Sequence, residues 1–185
     1  MAHLNLAKFV LKFIKGTINN GLIYVRSEDL DLIGYSDASW ANSADRKSMS
    51  GYCFRLSTNS SLISWKTRKQ PIVALSTCES EYIAMAFAMQ ECAFLQQLAH
   101  DLRLFPTLHP CTLYVDNIGS IELSKNPVFH QRTKHLDIRF HYVREKVASG
   151  QVILSYVPSK SNVADIFTKP CTKLALSTFQ VSKPI

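Results

Sequence analysis

No run of about 18 apolar residues occurs in the 185-residue chain, so no membrane-spanning helix and no membrane partner are expected. Glycine is scarce, with six in all, and none builds a G-x-G-x-x-G or G-x-x-x-x-G-K-[ST] loop at a helix mouth. A nucleotide-phosphate cradle is therefore absent. The cysteines, Cys53, Cys78, Cys92, Cys111 and Cys171, are odd in number and scattered. No two form a C-x-x-C pair, and no histidine stands at zinc-finger spacing from them. Reduced thiols in an intracellular protein, cytoplasmic or nuclear, are expected. Repeats and low-complexity tracts are missing too. Acids are outnumbered, 14 against 21 Lys and Arg, for a formal net charge of +7. That balance favours a polyanionic partner, though many basic domains are merely soluble.

What is present suffices for a core. At 46% apolar side chains the chain reads as one domain with a short appendage. Lys8, Lys12 and Lys15 break the opening segment and spoil any signal-peptide core. Leu6, Phe9, Val10, Phe13 and Ile14 fall on one helical face. Three readings follow: a helix packed on the domain, a transit peptide, or a membrane-surface helix. The regular spacing of Phe and Ile favours the first.

Asp31 to Asp37 reads as a strand. "SGYCFRLS" and "SLISWKT" form a hairpin about the turn Thr58-Asn59-Ser60, and "CTLYVD" is a fourth strand. Between the third and fourth lies the clearest helix, about Thr77 to Leu102, rich in Ala, Met, Gln and Leu. A short helix near Asn117 to Ser124 follows, closed by Asn126-Pro127. A longer one, about Thr133 to Ala148, ends at Gly150. "QVILSYV" is a fifth strand stopped by Pro158, and a final short helix, about Asn162 to Thr168, stops at Pro170. A hairpin group followed by alternating strands and helices implies an α/β fold with a mixed sheet and helices on its faces. The stretch from Cys171 to Ile185 is expected to be loosely ordered.

Four acids stand at element ends. Asp37 closes the first strand and Asp116 the fourth, where ligand sites of open α/β sheets form. Glu79 and Glu81 sit two apart at the start of the long helix and point in nearly opposite directions. Ser76 and Glu79 form a capping-box pattern, which gives Glu79 a structural task and leaves Glu81 for the cavity. Ala84 and Ala88, one and two turns on, let the helix lie close to a sheet. Asp165 stands among Val163, Ala164, Ile166 and Phe167. Any one of these acids alone reads as a solvated cap or turn residue. Four together would repel one another unless cations were present. Oxygen-only ligation suits Mg²⁺, and two such ions about 4 Å apart activate water and stabilise a departing phosphodiester oxygen.

The motifs "GYSDASWANSADRKSMSGYCF", "ISWKTRKQPIVALSTCESEYIAMA", "LYVDNIGSIELSKNPVFHQRTKHLDIRFHYVRE" and "YVPSKSNVADIFTKP" resemble, in order, the ribonuclease H domain of copia-type retrotransposon Pol polyproteins. They cover nearly everything from about Leu32 to Pro170. The resemblance implies a ribonuclease H-like fold: a five-stranded mixed sheet, the first three strands antiparallel, flanked by helices. It places four catalytic, metal-binding carboxylates at Asp37, Glu81, Asp116 and Asp165, holding two Mg²⁺ ions for which Mn²⁺ can substitute. The implied reaction is endonucleolytic hydrolysis of RNA paired to DNA, leaving a 3′-hydroxyl and a 5′-phosphate. Residues 1–26 look like the end of the preceding reverse-transcriptase region, which makes that region an expected partner. Residues 27–170 form the domain and 171–185 the tail. Many family members place a histidine in the loop before the last acid; here that loop reads "PSKSN", leaving Lys160 and the more distant His135 as auxiliary candidates.

An RNA–DNA hybrid displays 2′-hydroxyls in a wide minor groove, so shape and hydroxyl contacts identify its RNA strand. Ser39, Ser76, Thr77 and Asn117 are candidate contacts, although each residue type is commonly a cap or turn. Lys66, Arg68 and Lys69 in "SWKTRKQ" form a candidate phosphate patch, and Trp65 beside them is expected in the core. A second function class is a catalytically inactive relic that binds nucleic acid or a partner. An integrase-like strand transferase needs an Asp, Asp, Glu order, which this chain lacks.

Overall fold

A computed structural model describes residues 2–19, 21–22, 24, 30–104, 110–125 and 134–170. The element order is α1 (Ala2–Thr17), β1 (Ile33–Ser39), β2 (Met49–Arg55), β3 (Leu62–Lys69), α2 (Thr77–Asp101), β4 (Cys111–Val115), α3 (Ile118–Lys125), α4 (Lys134–Ala148) and β5 (Val152–Tyr156). Two 3-10 turns, Ser159–Ser161 and Val163–Phe167, follow β5. Asn162, extended at φ −76° and ψ 105°, divides the stretch between Pro158 and Pro170, and the expected last helix is this second 3-10 turn.

One sheet has strand order β3-β2-β1-β4-β5. β1 pairs antiparallel with β2, and β2 with β3, while β1–β4 and β4–β5 are parallel. The tight Thr58–Ser60 turn permits the antiparallel hairpin, whereas the crossovers through α2 and α4 deliver parallel strands. α2 lies across one face. Every residue from Glu79 to Met89 is buried, because the sheet takes one side of the helix and α3 and α4 take others. Ala84, Ala86 and Ala88 allow that approach, and Tyr82, Ile83, Met85 and Met89 fill the space against Phe54, Leu113 and Val115. Each such large side chain contributes about 1.5–3 kcal/mol on burial. Gly34 keeps β1 open to this core, since a Cβ there would stand 2.5 Å from the Phe54 ring. On the opposite face Ile33, Tyr35 and Cys53 pack against Ala164 and Phe167 of the second 3-10 turn.

Two expectations fail. α1 is helical, but its apolar residues do not pack on the domain: Phe9 is 70% exposed, and Leu6, Val10, Phe13 and Ile14 are exposed as well. Helical periodicity made the face apolar without supplying a surface to meet it, and α2 and α4 already cover the helical side of the sheet. Trp65 is also no core residue. It is 51% exposed, because β3 is the edge strand and its outer end is uncovered. The boundary at 26/27, the tail 171–185 and Cys171 lie outside the described residues; Cys53, Cys78, Cys92 and Cys111 are thiols outside any disulfide.

Candidate active site

Register brings the first two acids together. β1 and β4 run parallel with Ser36 opposite Val115, so the next residues, Asp37 and Asp116, emerge side by side at the same sheet end. α2 begins at that end, and Glu81, on its first turn and a half, enters from the helical face. Ser76 caps the helix: its Oγ accepts from the Glu79 N–H at 3.2 Å. Glu79 reaches back to accept the Leu75 N–H at 2.9 Å, one residue before the cap. This occupies Glu79 at the helix mouth and leaves Glu81 directed at the strands.

Carboxylate oxygens of Asp37, Glu81 and Asp116 all lie within 4.8 Å of one another. Asp37 is 1% exposed and Glu81 7%. Burial raises the Asp37 pKa; the Thr168 hydroxyl and Lys169 oppose this, and the charges of Asp116 and Asp165 add to it. Burial, then the charges of Asp37 and Asp116, push Glu81 up to about 9, against the backbone N–H of Ala38 and the charge of Lys169. One Glu81 oxygen, Oε2, is buried without a hydrogen-bond partner. A buried acceptor with no donor, facing two like charges, is the environment a cation relieves.

Asp165 approaches from the other face, on the second 3-10 turn. Asn162 sets that turn against β1. Its Nδ2 donates to the Ser36 carbonyl at 2.9 Å, and its Oδ1 accepts the Ala164 N–H at 3.1 Å. Asp165 is outside the three-carboxylate group. Its Oδ1 is bound by the Lys169 ammonium, while the Thr168 hydroxyl donates to Asp37 Oδ2. Burial works against the Lys169 charge, but the Asp165 hydrogen bond and the charges of Asp37, Asp165 and Asp116 outweigh it and raise its pKa.

Asn162, Thr168 and Lys169 were missed by sequence reasoning. A signal existed for two of them: Thr168 and Lys169 stand three and four residues after Asp165, the spacing of neighbours on a helical turn. The other site residues are placed as follows. Ser39 ends β1, half-buried, and Thr77 opens α2, exposed. Asn117 caps α3, its Oδ1 accepting the Ser120 N–H at 2.9 Å. Lys66 and Arg68 share one face of β3, but Lys69 turns to the other and pairs with Asp45 at 2.9 Å. Lys160 is exposed on the first 3-10 turn. His135 falls in the first turn of α4, and its side chain lies outside the described residues.

No protein-family model matches the chain. It is 35% identical over 178 residues to the retrovirus-related Pol polyprotein from transposon RE2 of Arabidopsis thaliana, a match covering 96% of this chain and 12% of that one. LC11-RNase H1, solved in complex with an RNA/DNA hybrid, superposes with a TM-score of 0.53 at 15% identity, over 79% of this chain and 99% of the other. The foamy viral protease-reverse transcriptase in complex with dsDNA gives 0.55 at 15% identity, over 84% and 29%. The chain has the ribonuclease H fold. Its sequence matches a segment of retrotransposon Pol polyproteins and spans 12% of the length of the Arabidopsis relative. In this ribonuclease H fold the acids stand at the shared end of β1, β4 and α2, where the parallel crossover separates the strand connections.

Proposed function

We propose that the protein hydrolyses the RNA strand of RNA–DNA hybrids endonucleolytically, as one step of retrotransposon reverse transcription. The convergence of the Asp37, Glu81 and Asp116 carboxylates, with Asp165 alongside, carries this reading. The donor set is all oxygen, and the unpartnered Glu81 Oε2 suits a hard divalent cation. Asp37, Glu81, Asp116 and Asp165 would hold Mg²⁺, two ions for which Mn²⁺ substitutes. Bound there, the ions would supply an activated water and stabilise the departing 3′-oxygen.

The protein's own groups set the geometry. The Ala38 N–H fixes Glu81, and the Thr168 hydroxyl fixes Asp37, so neither carboxylate is free to swing toward solvent. Lys169 holds Asp165 and offsets part of the negative charge. Lys66 and Arg68, both exposed, bind backbone phosphates. Ser39, Thr77 and the unused donor groups of Ser76 and Asn117 contact the minor groove and its 2′-hydroxyls. The apolar residues that α1 exposes meet the reverse-transcriptase region of the same polyprotein.

The test is cleavage of an end-labelled hybrid by the purified chain in Mg²⁺. Products with 3′-hydroxyl and 5′-phosphate ends are expected, and Asp116→Asn abolishes them while leaving the fold intact. A folded protein that cuts nothing in Mg²⁺ or Mn²⁺ overturns the reading. One observation favours a second reading, hybrid binding without catalysis: Lys169 already places a cation against the acids. Hybrid binding unaffected by EDTA, with no turnover, would establish that alternative.

A further inference from the structure

Further along α2 from the carboxylates, two arginines from different elements close on one phenyl ring. The Arg68 guanidinium, from β3, stands 4.6 Å from the Phe87 ring centroid, and that of Arg139, from α4, stands 5.3 Å from it. Among the described residues neither arginine has a carboxylate partner. Arg139 Nη1 is buried and makes no hydrogen bond. The nearby acid, Glu91, is already engaged, accepting from the Tyr52 hydroxyl at 3.1 Å and the Ser64 hydroxyl at 2.6 Å. Beside the ring is a hollow of about 150 Å³ lined by Tyr52, Lys66, Arg68, Phe87, Gln90 and Glu91.

A single arginine stacked on an aromatic ring is an ordinary packing device. Two on the same ring repel each other, and burial with the Arg68 charge lowers the pKa of Arg139. A buried donor left unfilled adds to that penalty. An anion relieves both, and guanidinium forks match a phosphate two bonds at a time. Phe87 follows Glu81 by six residues on α2, about 9 Å along the helix axis.

We infer that Arg139 joins Arg68 and Lys66 in one anion site that grips a backbone phosphate of the bound hybrid away from the cleavage position. This rests on the proposed function, since it takes the ligand to be nucleic acid. The Phe87 ring is shared by the two guanidinium groups, and of the pair Arg68, with Lys66, lines the hollow.

Hybrid affinity is measured in Ca²⁺, and cleavage in Mg²⁺, for the wild-type chain, Arg68→Gln, Arg139→Gln and Arg68→Lys. Each glutamine variant should weaken binding about tenfold, the loss of one charged hydrogen-bonded contact. It should flatten the slope of log affinity against log salt by about 0.7–0.9. KM should rise while kcat holds. Arg68→Lys should keep the salt slope and lose part of the affinity. Wild-type cleavage with unchanged KM and salt slope in both glutamine variants overturns the site and leaves the nuclease standing. Inorganic phosphate is titrated in parallel into ¹⁵N-arginine-labelled wild type, which serves should a variant fail to fold. Saturable shifts of the Arg68 and Arg139 Nε–H signals support the site even if the wild type cuts no hybrid. Their absence overturns it.

Discussion

Thr168 donates its hydroxyl to Asp37 although 131 positions separate them in the chain, and the next residue, Lys169, binds Asp165. The second 3-10 turn therefore carries one of the four acids, Asp165, and the residue that caps it reaches another, Asp37, from the face opposite α2. Its position depends on the Asn162 bridge to the Ser36 carbonyl and on contact with the bare backbone at Gly51.

That contact is testable. A Cβ at Gly51 would stand 2.8 Å from Thr168 Cγ2, 2.9 Å from Phe167 Cβ and 3.1 Å from the Ala164 carbonyl. Gly51→Ala should destabilise the fold by about 1–3 kcal/mol through overpacking. Cleavage should fall at least about tenfold, since displacing the turn moves Thr168 off Asp37. Thermal melts and single-turnover rates check this; an unchanged rate would show that the turn does not position the site.

Stability of the metal-free protein should depend on pH in an unusual direction. The folded-state pKa of Glu81 is raised from 4.5 to about 9, and that of Asp37 is raised as well. Between these values the folded state keeps a proton that the unfolded state has released. Stability is therefore full below about 4.5, declines as pH climbs toward about 9, and levels off beyond. Melting temperatures in EDTA should follow this course. Glu81→Gln, which cannot ionise, should flatten most of it and melt higher than wild type at pH 8.5. A melting temperature independent of pH across this range for the wild type would contradict the electrostatic account.

Lys169 should compete with divalent cations for the acids. Lys169→Gln removes a positive charge from beside Asp165, Asp37 and Asp116. The metal-free variant should melt lower than wild type and bind Mg²⁺ more tightly, several-fold by calorimetry, because the carboxylates then lack their internal counter-charge. Equal Mg²⁺ affinity in the two proteins would mean that Lys169 stands apart from the cation site.

Much of this arrangement was legible in the chain. The five strands and the long α2 were read from apolar runs, turn residues and helix formers, and observed bounds differ from the expected ones by only a few residues. Separating Glu81 from Glu79 needed only the capping logic of Ser76, which the 3.2 Å hydrogen bond realises. Misreadings arose wherever a neighbour mattered. α1 and Trp65 are apolar in the expected pattern, yet pattern does not say whether a partner surface is available. Lys69 looked equivalent to Lys66 and Arg68 until strand alternation and Asp45 took it to the other face.

The sequence by itself determined the elements and the acids at their ends, because periodicity, caps and turn residues act over a few neighbouring positions. Tertiary structure decided the rest: which acids meet, that Thr168 and Lys169 join them, and that Arg68 and Arg139 share the Phe87 ring. Those meetings depend on the parallel β1–β4 register and on how α2, α4 and the last turn cross the sheet. Such long-range placement is fixed by packing the whole core at once.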